Sequence, residues 1–330
     1  MRILALAILL ISSISVYGQD PFFHHALMPE GPFKGKELDL SLKRPIVQLA
    51  GTEWETIYGA RDGYELVANI YHNKAFYVGY VPKNGAKKIS YVEEPFGAMS
   101  HAMNRVRFNK DTPVELVGLV PTEEETAKKV RGHMLETPIK LKSLILTVEI
   151  VGTEGHQNFE PIGGMKNHFA VVVRVISLTG RGVKNYLPTQ KKWSKIYEYE
   201  LNFTPEEANR ALFAGLKMSN DMGLSTMYHT LFRNCNVYDF VMLAIGRPFF
   251  QEGQNYCQRR IARYRYVFEK LLPMSRWYPP AGSLILRWRG YRNKNSPPVK
   301  IMNWDPEFLQ IAKTYPPSEP KCSTNLDPTE

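Results

Sequence analysis

Between Ile196 and Gly246 the sequence reads IYEYELNFTPEEANRALFAGLKMSNDMGLSTMYHTLFRNCNVYDFVMLAIG. Its first residues alternate as a strand does. Thr204 then stands as a helix N-cap with Pro205 at the first helical position and Glu207 closing a capping box, and Ala208, Ala211, Leu212 and Leu216 form one apolar stripe. A second helix is predicted from Asn234 to Gly246. Asn234 caps it, Val237, Phe240, Val241 and Ala244 recur at steps of three and four, Gly246 suits a left-handed C-terminal residue, and Pro248 prevents continuation. Cys235 therefore falls in the first turn of a helix that follows a strand and another helix. The strands and these helices place the chain in the α+β class.

Upstream, residues 46–120 have the texture of strands and turns, in IVQLA, ELVANIYH, AFYVGYVP, KISYVEE, HAMNRVRFN and VELVGLVP. The Asn84-Gly85 pair after AFYVGYV is a hairpin signal. LKSLILTVEIVG and HFAVVVRVIS supply two further β-branched strands, and the glycine-bearing stretch between them, TEGHQNFEPIGGMKN, reads as a loop over a site. The charged residues 122–140 are predicted helical at first. Pro21, Pro29, Pro32 and Pro45 mark residues 19–45 as an irregular arm.

The chain opens MRILALAILLISSISVYGQD, with Arg2 before an apolar run and small residues leading to Gly18. That is the pattern of a secretory signal peptide, and its apolar run is shorter than the roughly 20 residues of a spanning helix. The expected organisation is a signal peptide over 1–18, a β-rich and helical domain over 19–250, and a C-terminal extension over 251–330. No transmembrane anchor is expected, and the mature chain is placed in the periplasm or outside the cell. With 44% hydrophobic residues and no low-complexity tract, the chain can bury a core and is not disordered as a whole.

The net charge of +10 is concentrated late in the chain. From Arg259 to Lys294, Arg259, Arg260, Arg263, Arg265, Lys270 and further basic residues face one acid, Glu269, and are interleaved with Tyr264, Trp277, Trp288 and other aromatics. In an exported protein such a mixture suits cell-envelope material (peptidoglycan, lipid or lipopolysaccharide), and nucleic acid is not expected as a partner. A solvated basic face whose aromatics belong to the core is the plain alternative.

Three cysteines in an exported chain leave at least one thiol outside any disulfide, and if Cys257 pairs with Cys322 that one is Cys235. A thiol reacts as its thiolate, with an ordinary pKa near 8.5. A helix N-terminus favours the anion by about 0.3 to 1 kcal/mol, too little alone, so a histidine that takes the proton is required. His101 opens one strand and His168 another, and His229 lies shortly before Cys235. Tyr228, His229 and Asn234, which flank the cysteine, are the candidates for substrate contact. His24 and His25 lie in the arm, His72, His133 and His156 have no evident sequence partner, and no spacing resembles a zinc site. Neither a metal nor an organic cofactor is expected. The plain readings are that Cys235 is a small core residue and that the histidines are hydrogen-bonded boundary residues.

The run from Ile196 to Gly246 resembles the DUF4105 family, also called the Lnb N-terminal periplasmic domain. There a tyrosine-bearing strand, a TPEE-type helix and a Y.T...NC segment follow in the same order. SHAMNRVRF and NHFAVVVRV each resemble the family's histidine-bearing strand. The family is similar to circularly permuted papain-like folds of the NlpC/P60 and lecithin:retinol acyltransferase kind. The resemblance implies an antiparallel sheet packed against helices, a Cys235 nucleophile and a base supplied by His101 or His168, with the other orienting the ring. After the cysteine, family members often carry Thr or Ser, whereas this chain reads NCNVYDF, so its local contacts differ. The implied activity is an exported cysteine hydrolase or acyltransferase acting on an amide or ester bond. The contrasting expectation is a non-catalytic envelope-binding protein that keeps the fold.

Overall fold

The computed structural model describes residues 21–96, 99–128, 134–156, 158–180, 196–230 and 233–247, with scattered positions between 286 and 301. The expected signal peptide, the basic stretch from Arg259 to Arg276, His133, Cys257 and Cys322 lie outside the described residues. The strands are β1 (Val47–Gln48), β2 (Tyr64–His72), β3 (Ala75–Pro82), β4 (Ala86–Phe96), β5 (Met99–Phe108), β6 (Val114–Leu119), β7 (Met134–Leu141), β8 (Ser143–Val151), β9 (Ala170–Ile176), β10 (Tyr197–Glu200) and β11 (Lys300–Ile301). The helices are α1 (Glu53–Tyr58), α2 (Glu123–Lys128), α3 (Pro161–Met165), α4 (Pro205–Met222) and α5 (Cys235–Gly246).

The strands form one open, mostly antiparallel sheet in the order β11-β10-β4-β5-β8-β9-β2-β3-β6-β7, with β1 laid on β2. Only β2 and β9 run parallel among the described pairs, meeting at Tyr71 and Ile176. The architecture is thus α+β, with few helices on a large sheet.

Alternation along the central strands makes two faces. One carries Ile89 and Tyr91 of β4, Ala102 and Val106 of β5, Leu144, Leu146 and Val148 of β8, and Val171, Val173 and Val175 of β9. α4 and α5 cover it. The expected stripe of α4 is buried here, Leu212 and Leu216 completely, each worth about 2 kcal/mol in apolar transfer. Its capping box forms as the sequence predicts, with Thr204 Oγ1 accepting from Glu207 N and Glu207 Oε2 accepting from Thr204 N.

Several sequence expectations change. Asn84-Gly85 does not close a hairpin, because β3 and β4 are not neighbours in the sheet. The hairpin after AFYVGYV's partner strand lies one strand earlier: Asn73 and Lys74 both take positive φ, as a two-residue type I′ turn requires, and join β2 to β3. Gly85 instead permits close approach, since a Cβ there would stand 2.3 Å from Pro82 Cγ. The 19–45 arm, where described, is packed. Phe22 and Met28 are fully buried, and Asn69, itself buried, donates from Nδ2 to Phe22 O at 3.0 Å and Pro45 O at 2.9 Å.

The buried stripe of α5 includes Phe240 as expected, stacked on Tyr91, but is otherwise different. Cys235, Asp239, Met242, Leu243 and Gly246 face the sheet and α4, while Val241 is 40% exposed. Gly246 remains helical, and its missing side chain lets α5 cross α4 closely. In the C-terminal part, Leu286 is helical and buried, as is Tyr291, whose ring packs on Phe203.

Candidate functional site around Cys235

Cys235 is the first residue of α5 and is buried. Asn234 fixes it from both sides: its Oδ1 accepts from Val237 N at 3.1 Å, and its Nδ2 donates to Thr230 O at 2.7 Å. Two backbone hydrogen bonds between His229 and Arg233 close the loop that precedes the helix. That loop is anchored on the start of β9, where Tyr228 N donates to Phe169 O at 2.8 Å and Val171 N to Thr226 O at 2.7 Å. α3 lies against it. A Cβ on Gly164 would stand 2.3 Å from Thr230 Oγ1, so only glycine fits. TEGHQNFEPIGGMKN therefore carries a packed helical turn in its second half, with Gly163 and Gly164 buried and Ile162 and Met165 outward.

The surroundings of the thiol are acidic and phenolic. Burial pushes Tyr91 well above the usual phenol range, helped by Glu93, Asp239 and Cys235; burial likewise raises Tyr228, with Cys235 adding to it. The carboxyl of Glu93 is pushed up to about 7 by burial, against the opposing hydrogen bonds from Ser100 Oγ at 3.0 Å and Tyr199 OH at 3.2 Å. Asp239, one turn beyond Cys235 on the same stripe, is completely buried and its pKa lies well above the carboxylate range for that reason. The burial that raises these groups disfavours negative charge in this region, whereas the helix N-terminus favours one by about 0.3 to 1 kcal/mol.

Strand alternation decides where the predicted site residues point. β5 turns Ala102, Asn104 and Val106 toward the helices, and Asn104 Nδ2 donates to Asp239 Oδ1 at 3.2 Å. His101, Met103 and Arg105 project from the opposite face. There His101 Nε2 shares a hydrogen bond with Thr147 Oγ1 at 2.8 Å, and Arg105 pairs with Glu198. His168 precedes β9, half-buried, at the end of the sheet where Phe169 and Tyr228 meet. Its ring packs edge-on against Phe33 of the arm, and its Nδ1 lies 3.0 Å from where a Gly163 Cβ would be. Tyr228 is buried with Phe159 in contact, His229 is half-buried on the loop, and Asn234 has its amide engaged at both ends. Tyr228, His229, Asn234 and Cys235 thus lie along one loop and helix start, His168 stands beside that loop's anchor on β9 with its ring toward Phe33 of the arm, and His101 is on the face away from the helices.

Sequence reasoning passed over Asp239, Asn104, Glu93 and Tyr91. A usable signal existed for the first: an aspartate four residues after the cysteine shares its side of the helix, inside an otherwise apolar run. Comparison with family models, curated proteins and solved structures finds no match. Among the described residues no helix is long and apolar enough to cross a membrane.

Proposed function

We propose that the chain is an exported cysteine hydrolase or acyltransferase that cleaves an amide or ester bond in cell-envelope material, with Cys235 as nucleophile, on a permuted papain-like arrangement of helix and sheet. The observation that carries this is the seating of the sulfur at the start of a 12-residue helix, fixed by a doubly bonded N-cap. The thiolate would attack the carbonyl carbon, amide groups of the first helical turn would hold the oxyanion, and collapse would expel an amine or alcohol that takes up the proton released by the thiol. Water or an acceptor nucleophile then breaks the thioester.

His168 is the base in this reading. It stands at the same end of the sheet as the loop leading to Cys235, with Gly163 of α3 beside its ring and Gly164 against Thr230 of that loop. His101, across the sheet, has no part in this reading.

Incubation with an activated ester, followed by mass spectrometry of the intact chain, tests the proposal. A single acyl adduct on Cys235, absent in C235S and slowed in H168A, is expected. The buried acids around the sulfur favour a second reading, a non-catalytic envelope-binding protein. It predicts no adduct while binding to isolated envelope material persists in C235S.

A further inference from the structure

Two buried oxygens at the centre of the molecule stand out: among the described residues, neither Asn104 Oδ1 nor Asp239 Oδ2 has a hydrogen-bond partner. Both residues are essentially inaccessible, Asn104 at 1% and Asp239 at 0% exposure, and they already touch, Asn104 Nδ2 donating to Asp239 Oδ1 at 3.2 Å and to Asp239 O at 3.3 Å. Two orphaned acceptors in such a place are destabilising, because each forgoes the hydrogen bond it would have in water. The described groups facing the pair offer no cation. β4 presents Tyr91, with Glu93 beyond it; β8 presents Leu144, Leu146 and Val148; α4 presents Gly215 and Leu216; and α5 itself presents Cys235 and Met242.

One proton removes both deficits. We infer that Asp239 is carried as a neutral acid whose Oδ2–H donates to Asn104 Oδ1, closing a two-bond acid–amide pair that locks the first turns of α5, and Cys235 with them, onto β5. The pair is a positioning device. It ties the helix to the strand through hydrogen bonds whose direction is fixed, where apolar contacts would allow sliding, and it leaves no carboxylate one turn from the sulfur to oppose a thiolate. Burial, which holds the Asp239 carboxyl well above its ordinary range, acts in the same sense.

The consequence for the thiol rests on the reading of Cys235 as a nucleophile, but the protonation of Asp239 does not. Infrared spectroscopy of the full chain carrying carboxyl-labelled aspartate tests it directly. At pH 7 the native protein is expected to show a carboxylic-acid carbonyl band that shifts with the isotope and is missing in D239N. A spectrum holding only carboxylate bands overturns the inference. In the variants, Asp239→Asn can still donate to Asn104 Oδ1 and is expected to keep most of the thermal stability, whereas Asp239→Ala loses roughly 5–10 °C in Tm. The pH profile of Cys235 alkylation moves in D239A and returns in D239N. Equal losses in the two variants, or failure of D239N to fold, also count against the pair. If the acid band is present while Cys235 forms no acyl adduct, the pair stands and the catalytic reading falls.

Discussion

The Cβ that Gly246 lacks would stand 2.5 Å from Ala211 Cβ and 2.7 Å from Glu207 O, so α5 and α4 cross with their backbones in near contact. Because one obstacle is a carbonyl of a capped helix, neither helix can yield by rotating a side chain. Gly246→Ala is expected to destabilise the fold by roughly 1–3 kcal/mol, despite alanine's better helix propensity, as read from urea unfolding midpoints.

Asn69 joins the arm to β2 while holding a left-handed φ of +67°. Asn69→Ala loses two buried hydrogen bonds and strains the backbone, a cost of about 2 to 4 kcal/mol. Asn69→Gly loses only the bonds and should be roughly 1 kcal/mol better. Limited proteolysis would show the released arm as earlier cleavage near Lys34 and Lys36.

Glu93 carries a folded-state pKa raised to about 7 from its ordinary 4.5. A raised carboxyl favours the folded state in its protonated form. Its contribution is therefore fully present below about pH 4.5, lost as pH climbs to about 7, and level above that. The span is on the order of 3 kcal/mol. Glu93→Gln should flatten this part of the stability–pH curve and be more stable than the native chain at pH 8, in denaturant titrations from pH 4 to 9.

Asn234 performs two tasks that separate by substitution. Asn234→Asp retains the acceptor for Val237 N but loses the donor to Thr230 O, while Asn234→Ala loses both. Stability should fall in the order Asn, Asp, Ala, with alanine about 1–3 kcal/mol below native by thermal unfolding.

The features legible in the sequence were those set by local chemistry. Thr204, Pro205 and Glu207 announce the start of α4 because capping needs only residues three apart, and Asn234 announces α5 in the same way. Most strands were readable from β-branched alternation. Their neighbours were not: Asn84-Gly85 has the composition of a tight hairpin, yet β4 pairs with β5 and β10, a choice made by long-range burial. Nor could periodicity alone place Asp239 inward, since a buried carboxyl is stable only beside a partner 135 residues away in sequence, Asn104. The side of the sheet taken by His101 depends on the register of β5, which one residue of slip would reverse. That parity, invisible in sequence, sets His101 on the face away from the helices, and the His168 ring likewise packs toward Phe33 of the arm.

The rate of alkylation of Cys235 across pH 5 to 10, in the native chain and in H168A and H101A, bears most directly on the catalytic reading. The account predicts a native half-maximum clearly below the ordinary thiol value of about 8.5, a shift upward in H168A and none in H101A. A native profile centred at or above about 8.5, unmoved by H168A, would contradict it.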